Sequence, residues 1–375
     1  MKRKIYAGLV LLIVLLNIIS WNSTGFCDWF RYHIFKMQER YFARFSNLFS
    51  FSLGEYMIAA GGLLIVIAVI CAIFLLTKTT AKQQEKLAAA SFSWKYLKAF
   101  AWILVWVSLV MTVNCFILYH CSSFQKLYLG KEEKDTYSLR QLVQVRDYVI
   151  SNANKLSGEM KRDADGNLIF EGNMGEQADR SMQKIALDYP ELKGYYPRPK
   201  QIQASKFLSQ QYMMGYYFPF SMEANYNREM YISNVPFTMC HELSHLQGFI
   251  YEQDANFIGY LACVSSDDPF FQYSGYLSMI NYLDSDLLKS LDGDRSRYMT
   301  YRQCNRMVRH DNIFLTKDAW KEVEKSAVIK TSTLKKASNV FLTANLNMNG
   351  VEDGLASYGD VVHVLLEYYR GKLYQ

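Results

Sequence analysis

Hydrophobic and polar positions divide the chain in two. Before residue 120 the apolar residues come in long uncharged runs, and after it they recur among charges at helical or alternating spacing. Residues 5–21 (IYAGLVLLIVLLNIISW), 57–77 (MIAAGGLLIVIAVICAIFLLT) and 99–120 (AFAWILVWVSLVMTVNCFILYH) contain no Lys, Arg, Asp or Glu. About 20 apolar residues in a helix cross the hydrocarbon core of a bilayer, whereas the usual buried helix has roughly 11–12 residues. Each run is therefore expected to be a transmembrane helix. The first follows Lys2, Arg3 and Lys4 and lacks a convincing small-x-small cleavage site, which favours an uncleaved anchor over a signal peptide. Downstream, LRQLVQVRDYVISNANKL places Leu139, Leu142, Val143, Val145, Tyr148 and Val149 near helical spacing, with Ser138 as its cap. A second amphipathic helix is expected over 175–188, before Pro190, and strands within the aromatic stretch 201–227, which Pro219 interrupts. The expected fold is mainly α with a small β component: a membrane domain over 1–120 and an α+β domain over 121–375.

Loop charges orient the spans. Residues 1–4 carry three Lys/Arg and residues 78–98 carry five in 21 positions, against four in 35 for residues 22–56. The positive-inside rule places the amino terminus and the 78–98 loop in the cytoplasm. Three crossings then put residues 121–375 outside, making a multi-pass cell-membrane protein with an extracytoplasmic carboxyl-terminal domain. Lys126, Lys131 and Lys134 weigh the other way, but long domains translocate largely regardless of charge. In the first external loop, residues 26–51 interleave aromatic residues with Arg31, Lys36, Arg40 and Arg44. That mixture fits an interfacial amphipathic helix or a helix packed on the external domain.

Composition narrows the class. With 375 residues, two domains are expected at roughly 100–200 residues each. A hydrophobic fraction of 50% with seven cysteines excludes a disordered chain or a disulfide framework. The net charge of +6 comes with no basic patch or nucleic-acid-binding motif, so no nucleic-acid partner is expected. Cys71 and Cys115 fall in apolar runs, and the other five lack CxxC spacing; free, buried thiols are expected. DADGNLIF (163–170) hints at a calcium loop, but its twelfth position is Met174 rather than Glu, and that reading is rejected.

The chemistry lies in VPFTMCHELSHLQGFIYEQDANFIGYLAC (235–263), where HELSH fits the HExxH pattern of zinc peptidases. His241 and His245, four apart, stand on one helical face, so both imidazoles reach one ion. Glu242 lies beside that face, placed to accept a proton rather than to ligate. A third ligand is needed, and Glu252 is seven residues beyond His245. On one continuous helix it would sit about 10 Å further along the axis. Gly248 lies between them, where a left-handed residue can turn the chain back. Asn256, four after Glu252, is placed to hydrogen-bond a ligating histidine. Asp254 is the competing carboxylate ligand. His363, in VVHVLLEYY, reads as a core histidine and His310, in RMVRHDN, as a surface one. Tyr273, Tyr276 and Tyr358 are the tyrosines considered as donors to a scissile carbonyl.

At these residues the chain resembles known families. ExxA followed by Asp or Asn, here Glu252 to Asn256, resembles the second motif of several glutamate-zincin families, and that resemblance places their metal-binding glutamate on Glu252. More closely, PFSMEAN (219–225), PFTMCHELSHLQGF (236–249), EQDANFIGYLAC (252–263), YSGYL (273–277) and NGVEDGLASYGDVVHVLL (349–366) look like the bacterial membrane family called domain of unknown function 3810. Asp254 stands where that family is expected to carry glutamate. The expected protein is thus a membrane-anchored zinc metallopeptidase with a zincin-like domain. One Zn2+ would sit on His241, His245 and Glu252, with Glu242 activating the water that the ion holds. A strand from 213–227 would pair with an extended peptide or protein substrate, and the lipid bilayer is the other partner. The alternatives are a membrane sensor or binding module with a structural zinc, and a noncatalytic scaffold.

Overall fold

The computed structural model describes residues 2–77, 83–130, 137–349, 351 and 360–375. The three apolar runs form helices Lys2–Asn22, Leu53–Thr77 and Gln83–Met111. The third continues through a π-turn, Thr112–Phe116, and a 3-10 turn, Ile117–His120. Three segments, Arg3–Asn22, Leu53–Thr77 and Ala89–His120, are long and apolar enough to cross a membrane. Each begins before its apolar run, because nothing in the preceding polar residues breaks a helix. The last has 32 residues, about 48 Å at 1.5 Å each, against a hydrocarbon core of about 30 Å. Its final turn is buried in protein: Ile117, Leu118 and Tyr119 join the core of the following domain. The boundary expected at residue 120 is therefore a packed junction rather than a linker.

Between the first two spans, helix Thr24–Phe30 runs through a π-turn into helix Lys36–Ser46. Helix Lys36–Ser46 packs one face on the carboxyl-terminal part of the chain, where Lys36 donates to Lys193 O and Lys200 donates to Ser46 O. Phe35, Glu39, Ala43 and Ser46 recur every three or four residues and are buried, while Met37, Tyr41, Phe42 and Phe45 stay exposed.

In the carboxyl-terminal part, Ser138 and Gln141 form a capping box at the start of helix Leu139–Ser157. The second amphipathic helix is Met174–Ile185. The aromatic stretch folds as a sheet of β1 (Lys200–Ile202), β2 (Gly215–Phe218) and β3 (Glu223–Asn227), in the order β1–β3–β2. β1 runs parallel to β3, and β2 pairs antiparallel with Tyr217 opposite Ala224. Helix Val235–Leu246 lies against β2 and β3 on one side and against helices Met174–Ile185, Glu252–Val264 and Pro269–Ser290 elsewhere.

The sheet grips the membrane helices directly. Glu223 accepts hydrogen bonds from Leu53 N (3.1 Å) and Gly54 N (2.8 Å), closing the amino-terminal end of the second span. It also forms a buried ion pair with Lys200, whose ammonium donates to Ser46 O (2.6 Å). Phe218 packs so closely on Gly54 that a Cβ there would meet its ring at 2.8 Å. The β2–β3 turn reaches the third span: Asn114 Nδ2 donates to Pro219 O (2.8 Å), and the Phe220 ring lies 5.6 Å from Trp106.

Candidate metal centre

Pro236 opens the helix Val235–Leu246, where its missing N–H costs nothing. The helix stops at Gln247, and Gly248 turns the chain back with φ +86°. A Cβ at Gly248 would lie 2.8 Å from Arg31 Cγ, so glycine is required by conformation and by space. Arg31 comes from the loop between the first two spans. Its guanidinium lies 4.7 Å over the Phe249 ring, pairs with Asp28 (3.2 Å) and donates to Ser122 O (3.0 Å). The returning helix, Glu252–Val264, comes close because Gly259 lies against the His241 backbone, where a Cβ would sit 3.1 Å from its nitrogen.

This reversal brings Glu252 beside both histidines. Glu252 Oε2 is 3.3 Å from His241 Nε2, and Oε1 is 4.0 Å from His245 Nε2. One ligand atom from each of the three lies within 4.8 Å of the others. For a tetrahedral zinc with bonds of about 2.0–2.1 Å, ligand atoms stand roughly 3.3 Å apart, so the observed separations suit such an ion. His245 Nδ1–H donates to Phe249 O (2.7 Å), leaving the Nε2 lone pair on the cluster side. Asn256 stands beside the His241 ring and near the Tyr282 hydroxyl. Within the described residues, His241 Nδ1, Glu242 Oε2 and Asn256 Nδ2 are buried without a hydrogen-bond partner. Two imidazoles and a carboxylate are a donor set that suits zinc.

Electrostatics separate the roles. Burial is the main cause that pushes the Glu242 carboxyl up to about 8, helped by the charge of Glu252 and opposed by His241 and the Tyr217 N–H. Burial, then His241, pulls His245 down to about 4, which keeps its imidazole neutral and able to ligate. Burial also acts against protonation of His241, but Glu252 outweighs it and raises the pKa. Glu242 is 4% exposed, lies close to β2, and is not one of the three clustered ligands. β2 passes directly over it: a Cβ on Gly215 would be 2.6 Å from Glu242 Oε1, and Tyr217 N–H donates to the carboxylate.

The sequence-predicted residues His241, Glu242, His245, Glu252 and Asn256 thus gather at one place. Asp254 does not join them. It is 1% exposed, and its Oδ2 accepts Phe124 N (2.9 Å), tying down the chain just after the third span. Tyr273 is also elsewhere, donating to Asp311 (2.7 Å), and Tyr276 packs with Tyr148 and Tyr260. Tyr358 lies outside the described residues. His310 is exposed, and His363 is half-buried against Tyr137. The seven cysteines are free. Sequence reasoning missed Arg31, Gly215, Tyr217 and Tyr282. Only Gly215 carried a signal, since a glycine inside a strand marks close approach of another group.

No curated protein and no solved structure matches the chain. The family model described as "Protein of unknown function (DUF3810)" matches residues 30–366, which is most of the chain, and this protein belongs to that family.

Proposed function

We propose that the protein is a membrane-anchored, zinc-dependent peptidase whose zincin-like domain lies outside the cytoplasm. The observation that carries this reading is the convergence of His241, His245 and Glu252, with Glu242 next to them but outside the ligand set. Those three would hold the ion, which when bound polarises a carbonyl and acidifies a water. In its ionised form Glu242 takes a proton from the attacking water as its oxygen bonds to the carbonyl carbon. When the C–N bond breaks, Glu242 passes that proton to the leaving nitrogen. The Phe249 carbonyl orients His245, and Asn256 stands beside the His241 ring.

A purely structural site has no use for a carboxyl held in this way. Burying Glu242 with one oxygen unpartnered costs stability, typically about 1–3 kcal/mol, and a catalytic task accounts for keeping it. Zinc analysis of the purified protein with an unbiased peptide-cleavage screen tests the reading. One zinc per chain and hydrolysis are expected. A metal-replete protein that cleaves nothing would leave the structural-zinc sensor in its place.

A further inference from the structure

The edge of β2 does two things within three residues. Asn227 N donates to Met214 O (2.6 Å), and the register pairs Tyr217 with Ala224. By antiparallel alternation, Gly215 and Tyr217 turn their backbone N–H and C=O away from β3. That outward side is the one facing Glu242. One residue later the strand is clamped to the membrane helices. Phe218 covers Gly54 of the second span, Pro219 O accepts from Asn114 of the third, and Phe220 stacks near Trp106. The Tyr217 hydroxyl itself donates to Asn114 O (3.3 Å), while its ring stands 6.2 Å from His245. At about 3.3 Å per strand residue, roughly 7 Å of backbone separates the contact with Glu242 from the contact with the third span.

Other contacts tie the cluster to the same span. The ring of Tyr251, the residue before Glu252, stands 5.8 Å from Tyr119, and its hydroxyl donates to Tyr119 O. Asp254 holds Phe124 N, four residues past the end of that span. The site therefore has no stalk. A backbone paired along β2 is delivered at the start of the second span and against the stretch of the third between an exposed Trp106 and Asn114.

We infer that the substrates are membrane-anchored polypeptides cut within a few residues of their own transmembrane anchor, with the extended juxtamembrane segment paired along β2, where it takes over the Tyr217 N–H that Glu242 holds in this structure. This rests on the peptidase reading above and narrows its substrate class. A soluble peptide offers the same backbone to the strand, but it lacks an anchor to hold it against the spans.

The test uses the full-length protein in lipid nanodiscs, with the Glu242→Gln protein as blank. The probes are single-span test proteins carrying a randomised ectodomain segment roughly four or roughly forty residues outside the anchor, plus the same segments as free peptides. New termini are read by mass spectrometry. Effective concentration falls as about the −3/2 power of tether length, so the near segments should be cut about 30-fold faster than the far ones. The free peptides should be cut most slowly. Equal cutting of near, far and free segments would overturn the inference while leaving the peptidase reading intact. No cutting in any arm would overturn both.

Discussion

A single carboxylate can look like a metal ligand in sequence and serve as a structural clamp in the fold. Glu252 and Asp254 are two residues apart on one helix, and about 200° of rotation sends their side chains to opposite sides. Glu252 meets the histidines, whereas Asp254 meets the backbone of Phe124. Glu252→Ala should therefore weaken zinc binding by more than the 10–100-fold typical of a supporting residue. Asp254→Ala should bind zinc like the parent but lose about 1–3 kcal/mol of stability, because Phe124 N is left buried without its acceptor. Metal titration and thermal melts of both variants check this, and zinc loss in Asp254→Ala alone would reverse the assignment. The HELSH pair and Glu252 were legible because helical spacing and one glycine turn settle their geometry locally. Arg31 was not, because its partner Phe249 is brought to it by the whole fold, across more than two hundred residues.

At the scale of elements, helix Lys36–Ser46 is unusual in burying an acid. Glu39 is 1% exposed with Oε1 unpartnered, and burial pushes its carboxyl up to about 8 despite the nearby charges of Lys36, Arg40 and Arg44. The sign follows directly. Between the ordinary glutamate range and about 8 the folded chain keeps this proton and the unfolded chain releases it, so stability falls as pH rises through that window. At about 1.4 kcal/mol per pKa unit, a few kcal/mol are at stake. Glu39→Gln should remove that part of the slope, so the variant gains on the parent as pH goes from 5 to 8 in detergent melts. Parallel curves would contradict it. The sequence pattern foretold a basic, aromatic amphipathic segment here. The burial of Glu39 was hidden because it depends on a neighbouring domain covering one face of the helix. The same limit applied to β2. Its aromatic residues announced a strand, but its position over Glu242 comes from tertiary packing.

For the whole molecule, the three spans were readable from length and hydropathy alone, since a bilayer sets the required run of apolar residues. What the runs did not disclose is that the third span ends inside the domain core and that PFSMEAN clasps the second. Glu223 in that motif caps a membrane helix across 169 positions of sequence. The proposed orientation, read from loop charges, puts the basic 78–98 loop in the cytoplasm and the His241, His245 and Glu252 cluster outside. Cysteine-accessibility labelling in intact cells checks this at Lys161, an exposed site on the domain, and at Lys86. Labelling at 161 and protection at 86 are expected, and the opposite pattern would invert the topology.

The most direct measurement compares Glu242→Gln with His241→Ala in zinc content, melting temperature and peptide cleavage. The amide is nearly isosteric with the carboxyl but takes up no proton near neutral pH, and Glu242 stands outside the ligand cluster. Glu242→Gln should keep one zinc, melt at or above the parent temperature, and lose at least about 10²–10⁴-fold in rate. His241→Ala should lose zinc and activity together. A Glu242→Gln protein with full activity beside an inactive, zinc-free His241→Ala would show that the ion serves structure alone, and the hydrolase reading would fall.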